Sequence, residues 1–140
     1  MNDAQFLRAL ECGELLPQEF GHSAHLRAAY LYLQEHGFID GLQRICRAIG
    51  NYTRHIGKPE RYHETITVAY VVLIHQHMVE PGDPGDWVRF AEQNADLFKQ
   101  DLLLEFYPQA QLESALARRV FLLPRLKPKL SSACLDDLRP

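Results

Sequence analysis

Two histidines, His22 and His25, stand three residues apart where a predicted helix begins its apolar stripe. Residues at this spacing lie on the same side of an α-helix, so both imidazoles can approach one ion. In the middle of the chain, His63 and Glu64 interrupt an otherwise apolar run. Burying such groups without partners costs about 2–7 kcal/mol, so the fold must supply a partner for them. We therefore predict a metal site formed by His22, His25 and either His63 or Glu64.

The predicted ligands indicate which metals this site would bind. Imidazole and carboxylate ligands suit iron, zinc or manganese, and three protein ligands leave coordination positions open, as in catalytic sites. Whichever of His63 and Glu64 is not a ligand would orient the site or act as a general base. The interpretation is a metal-dependent enzyme that acts on a small organic molecule, and both oxidative and hydrolytic or lyase chemistry remain open.

Two further residues are candidates for substrate contact. Tyr70 lies one to two turns beyond His63 on the same predicted helix, and we assign it a catalytic role together with Glu64. Arg119 precedes the apolar sequence VFLLP, and a guanidinium there could bind a substrate carboxylate through two parallel hydrogen bonds. The alternative for Tyr70 is that it is an ordinary core residue. The alternative for Arg119 is that it forms a solvated surface pair with Arg118.

Composition and missing motifs exclude several classes of function. The net charge of −3 offers no attraction for nucleic acid or anionic lipid, so neither partner is expected. The sequence contains no GxSxG nucleophile motif, no phosphate-binding glycine loop and no basic stretch interleaved with aromatic residues. It also lacks an N-terminal signal pattern and any run of 18 apolar residues. The three cysteines form no CxxC pair, which favours the reducing cytoplasm.

The spacing of apolar residues predicts an all-α fold in one domain, residues 1–140. We expect a compact bundle of five to six helices with an irregular C-terminal segment, of which residues 128–140 form a loose tail. The first helix is capped by Asp3, the fourth starts at Pro59, and a later one is capped by Asp86. The β-branched run TITVAYVVLI is assigned to a helix rather than a strand because it belongs to a long segment. The predicted helices of the bundle cover residues 4–11, 22–36, 40–57, 59–79, a segment from 87, and 95–107. The irregular C-terminal segment adds a short helix near residues 111–119.

Three segments together resemble a group of small, largely uncharacterised bacterial proteins. They are FGHSAHLRAAYLYL, YHETIT and LARRVFLLP, and the similarity spans most of residues 20–124. The resemblance implies that His22, His25, His63 and Glu64 belong together, because they fall in the first two segments. It implies no activity, cofactor or substrate.

Two other functions account for the same residues. One is a non-catalytic interaction module, in which the polar groups form a hydrogen-bond network and exposed aromatic residues such as Trp87 build a partner or homodimer surface. The other is a passive metal-binding protein, which would use the ligands but need no substrate cavity. Metal content and a cavity that opens onto the ligands would distinguish these functions.

Overall fold

A computed structural model describes residues 1–125 of the chain, and within that range the chain is helical with no β-strand. The all-α prediction is therefore confirmed, while the predicted tail at 128–140 lies outside the described residues. No helix within residues 1–125 combines the length and apolar character needed to cross a membrane. The part of the chain that the structure describes contains seven α-helices: α1 (Asp3–Glu11), α2 (His22–His36), α3 (Phe38–His55), α4 (Glu64–His77), α5 (Trp87–Gln93), α6 (Gln109–Leu112) and α7 (Ala115–Arg119).

Local sequence signals explain the first three helices. The predicted bounds of α2 are confirmed: it ends at Gly37, whose φ of 78° lies in the left-handed region that glycine adopts at no steric cost. The same glycine precedes α3, which begins at Phe38, two residues before the predicted start. The cap of α1 is Asn2 rather than Asp3, because Asn2 and Gln5 each accept a hydrogen bond from the backbone of the other.

The fourth helix begins later than predicted. Pro59–Arg61 forms a separate 3-10 turn, and Tyr62 and His63 are extended before α4 starts at Glu64. The N-cap is His63, whose Nδ1 accepts a hydrogen bond from the backbone N–H of Ile66 at 3.1 Å. The choice of helix over strand for the β-branched run is confirmed.

The chain beyond α4 is more irregular than the apolar spacing indicates. Asp86 caps α5 as predicted, with Oδ1 accepting from the N–H of Arg89 at 2.9 Å. The predicted helix over 95–107 is wrong: the chain forms two 3-10 turns, Ala95–Phe98 and Leu102–Glu105, because Lys99 adopts an extended conformation between them. These turns bury Leu97, Leu102 and Leu103, and the predicted helix at 111–119 is likewise divided into α6 and α7.

Trp87, the example given for an exposed aromatic residue in the interaction-module alternative, is not exposed. Its indole is half-buried, with ring centroids 5.6 Å from Tyr30, 6.1 Å from Phe90 and 5.8 Å from Phe98. The aromatic residue at the start of α5 therefore packs on the core.

The central element of the bundle is α2, which packs against α3 and α4. Every residue of its middle, from Ala28 to Leu33, is at most 7% exposed. Two tyrosines there keep their polar ends satisfied, since Tyr30 donates to Asp83 and Tyr32 donates to Glu11. The burial holds α2 in place, and with it the residues of its first turn.

Candidate functional site

A cavity of about 310 Å³ lies between α2, α3 and α4. Its polar residues are His22 and His25 from the first turn of α2, and Thr67 and Tyr70 from α4. Most of its wall is apolar and comes from all three helices: Leu26, Ala29, Ile45, Ile49, Ile66 and Val71. A concave, mainly apolar space with a few convergent polar groups is typical of small-molecule sites.

His25 is held in a defined orientation at this cavity. Its ring stacks on Phe20 with centroids 3.9 Å apart, and Nδ1 donates a hydrogen bond to the carbonyl oxygen of Gly21 at 2.8 Å. Burial lowers the pKa of His25, and the neighbouring His22 also lowers it, while the bond to Gly21 opposes them. The imidazole is therefore neutral at neutral pH, with the proton on Nδ1 and a lone pair on Nε2.

The second nitrogen of His25 is available to a ligand. Within residues 1–125, Nε2 makes no hydrogen bond, and it is not fully buried. An accessible nitrogen lone pair with a lowered pKa can accept a hydrogen bond or a proton from a bound molecule.

His22 shares the same cavity but has a different set of contacts. Its Nε2 donates to the carbonyl oxygen of Leu97 at 3.2 Å, and its ring meets Tyr70 edge to face with centroids 5.0 Å apart. The bond to Leu97 connects the first turn of α2 to the 3-10 turn that follows α5. His22 therefore orients the rim of the cavity.

His63 does not join the other two histidines. It is 7% exposed, its Nδ1 caps α4, and its Nε2 donates to the carbonyl oxygen of Leu112 at 2.7 Å. Because both ring nitrogens are engaged, neither offers a lone pair to a cation. The structure places His63 as a helix cap that also ties α4 to α6, and its role as a metal ligand stays a prediction.

Glu64 is also directed elsewhere. Its Oε1 accepts a hydrogen bond from the hydroxyl of Tyr62, and Glu64 does not line the cavity. Among residues 1–125, no group of three or more His, Cys, Asp or Glu side chains is placed to hold a metal ion. The structure thus brings together two of the four predicted ligands, His22 and His25, and separates His63 and Glu64 from them.

The two predicted substrate contacts have different outcomes. Tyr70 lines the cavity, and burial raises the pKa of its hydroxyl, helped by the nearby Asp101, so the phenol stays protonated. Arg119 is exposed at the end of α7 and does not line the cavity. Its neighbour Arg118 donates to the carbonyl oxygen of Glu60 at 2.9 Å, so neither arginine is placed as a substrate clamp.

Two features of this region were not predicted. Ile45 and Ile49 line the cavity, although nothing in the sequence distinguishes them from ordinary core residues. Thr65 was passed over, yet it is fully buried, and its hydroxyl donates to the carbonyl of Val120 and accepts from the N–H of Leu122. The only indication in the sequence was a threonine within an apolar run. That residue type does not show whether its hydroxyl bonds to a distant segment or to the backbone of its own helix.

The arrangement as a whole combines an apolar space with the neutral acceptor Nε2 of His25, the protonated phenol of Tyr70 and a second imidazole, His22, whose Nε2 is engaged by Leu97. Such a set can bind an organic molecule and move a proton to or from it. No protein-family model, no curated protein and no solved structure matches this chain, so the resemblance to the bacterial group stays a prediction.

Proposed function

We propose that this protein binds a small, largely apolar organic molecule in the cavity between α2, α3 and α4, and that His25 accepts a hydrogen bond from that molecule. The observation that carries the proposal is an apolar cavity of about 310 Å³ lined by His25, whose Nε2 makes no hydrogen bond within residues 1–125 and is not fully buried. That volume lies at the lower end of the roughly 300–1,000 Å³ range of ligand sites, which favours a compact molecule. A cytoplasmic location and a homodimer belong to the same proposal.

Occupancy of the cavity can be tested with N-phenyl-1-naphthylamine, an uncharged dye that fluoresces in apolar surroundings. We expect saturable binding of one dye per chain, because most of the wall is apolar. Replacing Ala29 with leucine should abolish this binding, since Ala29 is 3% exposed at the cavity and the larger side chain takes up its space.

The matched control makes the same substitution away from the cavity. Ala4 is exposed on α1, so Ala4→Leu adds the same carbons without changing the cavity and should bind the dye like the wild type. Circular dichroism would verify that both variants are folded. Equal dye binding by Ala29→Leu and Ala4→Leu would contradict the proposal.

A metal-dependent reaction on the two imidazoles remains a second candidate, because His22 and His25 line one cavity. It predicts stoichiometric iron, zinc or manganese in protein purified without a histidine tag, and loss of that metal in His25→Ala. Passive metal binding makes the same prediction but needs no dye-binding cavity.

Removal of divalent metal separates these proposals. We expect dye binding to be unchanged after treatment with EDTA, because the dye would contact the apolar side chains of the cavity, and these side chains do not bind metal ions. Fluorescence titration before and after chelation, with metal analysis of both samples, measures the effect. Loss of dye binding together with loss of a bound metal would favour the metal-dependent candidate instead.

A further inference from the structure

The charges around the cavity restrict the ligand that it would accept. Among residues 1–125, no lysine or arginine lines it. Its ionisable side chains are His22, His25 and Tyr70, and the carboxylate of Asp101, which lies near Tyr70, has the wrong sign for an anion. An anionic ligand would have to lose its water without gaining the permanent positive charge of a lysine or arginine, which is costly in an apolar site. A cationic ligand would meet the same apolar wall. The surroundings therefore favour an uncharged molecule.

The hydrogen-bonding capacity of the cavity narrows the choice further. Because Nδ1 of His25 carries the proton and donates to Gly21, Nε2 can only accept. Its partner must be an O–H or N–H group on the ligand. Tyr70 contributes a protonated hydroxyl, which adds polarity but no positive charge. A hydroxyl group on an apolar body satisfies these conditions with the least polar surface.

We propose that the ligand is an uncharged alcohol or phenol whose hydroxyl group donates a hydrogen bond to Nε2 of His25. This inference rests on the proposed function and adds the chemical class of the ligand. Ligands lacking the donor would leave the lone pair of Nε2 desolvated and unpaired, and ligands bearing a carboxylate would leave a charge unpaired.

Three probes that share one ring system test this class. They are 2-naphthol, 2-methylnaphthalene and 2-naphthoate, and each is titrated against the complex of the protein with N-phenyl-1-naphthylamine. We expect 2-naphthol to displace the dye at about a tenfold lower concentration than 2-methylnaphthalene. The hydroxyl pairs with Nε2, whereas the methyl group leaves that lone pair desolvated, and this difference changes the affinity by about that factor. The carboxylate should be the weakest competitor.

The variant His25→Phe identifies the acceptor. It keeps an aromatic ring beside Phe20 but has no lone pair, so it should still bind the dye while losing the preference for 2-naphthol. A matched control is His75→Phe: His75 also stacks on a phenylalanine, Phe38, with centroids 4.7 Å apart, but does not line the cavity. That control should keep the preference.

The outcomes distinguish this inference from the proposed function. Dye binding with no preference for 2-naphthol, or a preference that persists in His25→Phe, overturns the ligand class and leaves the binding cavity intact. Tightest binding of 2-naphthoate overturns it in favour of an anion site. If the wild type does not bind the dye at all, both proposals fall.

Discussion

Replacement of His63 by alanine is expected to lower the free energy of unfolding by about 1.5–5 kcal/mol. The imidazole caps α4 through Nδ1 and donates through Nε2 to the carbonyl oxygen of Leu112, while being 7% exposed. Loss of an N-cap costs about 0.5–2 kcal/mol. Loss of the second bond, which leaves a partly buried carbonyl without its donor, costs about 1–3 kcal/mol. Urea unfolding followed by circular dichroism measures the change.

Two conservative variants separate the contributions of the two nitrogens. Asparagine can place its carbonyl oxygen near the position of Nδ1 and so retain the cap, whereas glutamine can place its amide near Nε2 and reach Leu112. We expect His63→Asn and His63→Gln each to lose about half of the stability lost by His63→Ala. All three should bind N-phenyl-1-naphthylamine when folded, because His63 does not line the cavity. Unchanged stability with loss of a bound metal would restore His63 as a ligand.

The second large effect is expected at Thr65. Its hydroxyl is fully buried, donating to the carbonyl of Val120 at 2.8 Å and accepting from the N–H of Leu122 at 3.1 Å. Thr65→Val keeps the shape of the side chain but removes both bonds, so two backbone groups of the segment after α7 lose their partner. We expect a loss of about 2–3 kcal/mol in the free energy of unfolding, measured by urea titration.

Thr67 provides the matched control on the same helix. Its hydroxyl donates to the carbonyl of His63, which already accepts the backbone N–H of Thr67. Thr67→Val therefore leaves no backbone group without a partner, and its cost should be below about 1 kcal/mol. Comparable losses in the two variants would show that the bonds of Thr65 to the C-terminal segment do not stabilise the fold.

Local signals were sufficient for much of the helical framework. The bounds of α2 follow from the spacing of its apolar residues and from Gly37, and the start of α5 follows from the side chain of Asp86. Both depend on interactions within a few residues, so they can be derived without the rest of the chain. The same holds for the placement of His22 and His25 on one side of α2, which is a property of helix geometry.

The partners of the polar side chains could not be derived in this way. An imidazole can cap a helix, bind a metal or accept a proton, and its residue type does not choose between these roles. His63 caps α4 and also connects it to α6, because the carbonyl of Leu112, 49 residues further along the chain, accepts a hydrogen bond from its imidazole. The predicted helix over 95–107 failed for a related reason, since burial of Leu97, Leu102 and Leu103 accompanies two short turns in place of a regular helix.

The sequence by itself determined that this chain is helical, where α2 lies and that two histidines share one side of it, because these properties depend on neighbours within about one or two turns. Only the tertiary structure decided that His25 meets an apolar cavity while His63 and Glu64 turn to other partners. Packing of α3 and α4 around α2 encloses that cavity, and hydrogen bonds between distant segments engage the remaining polar groups. Such contacts depend on how whole elements pack, which the local pattern of residues does not encode.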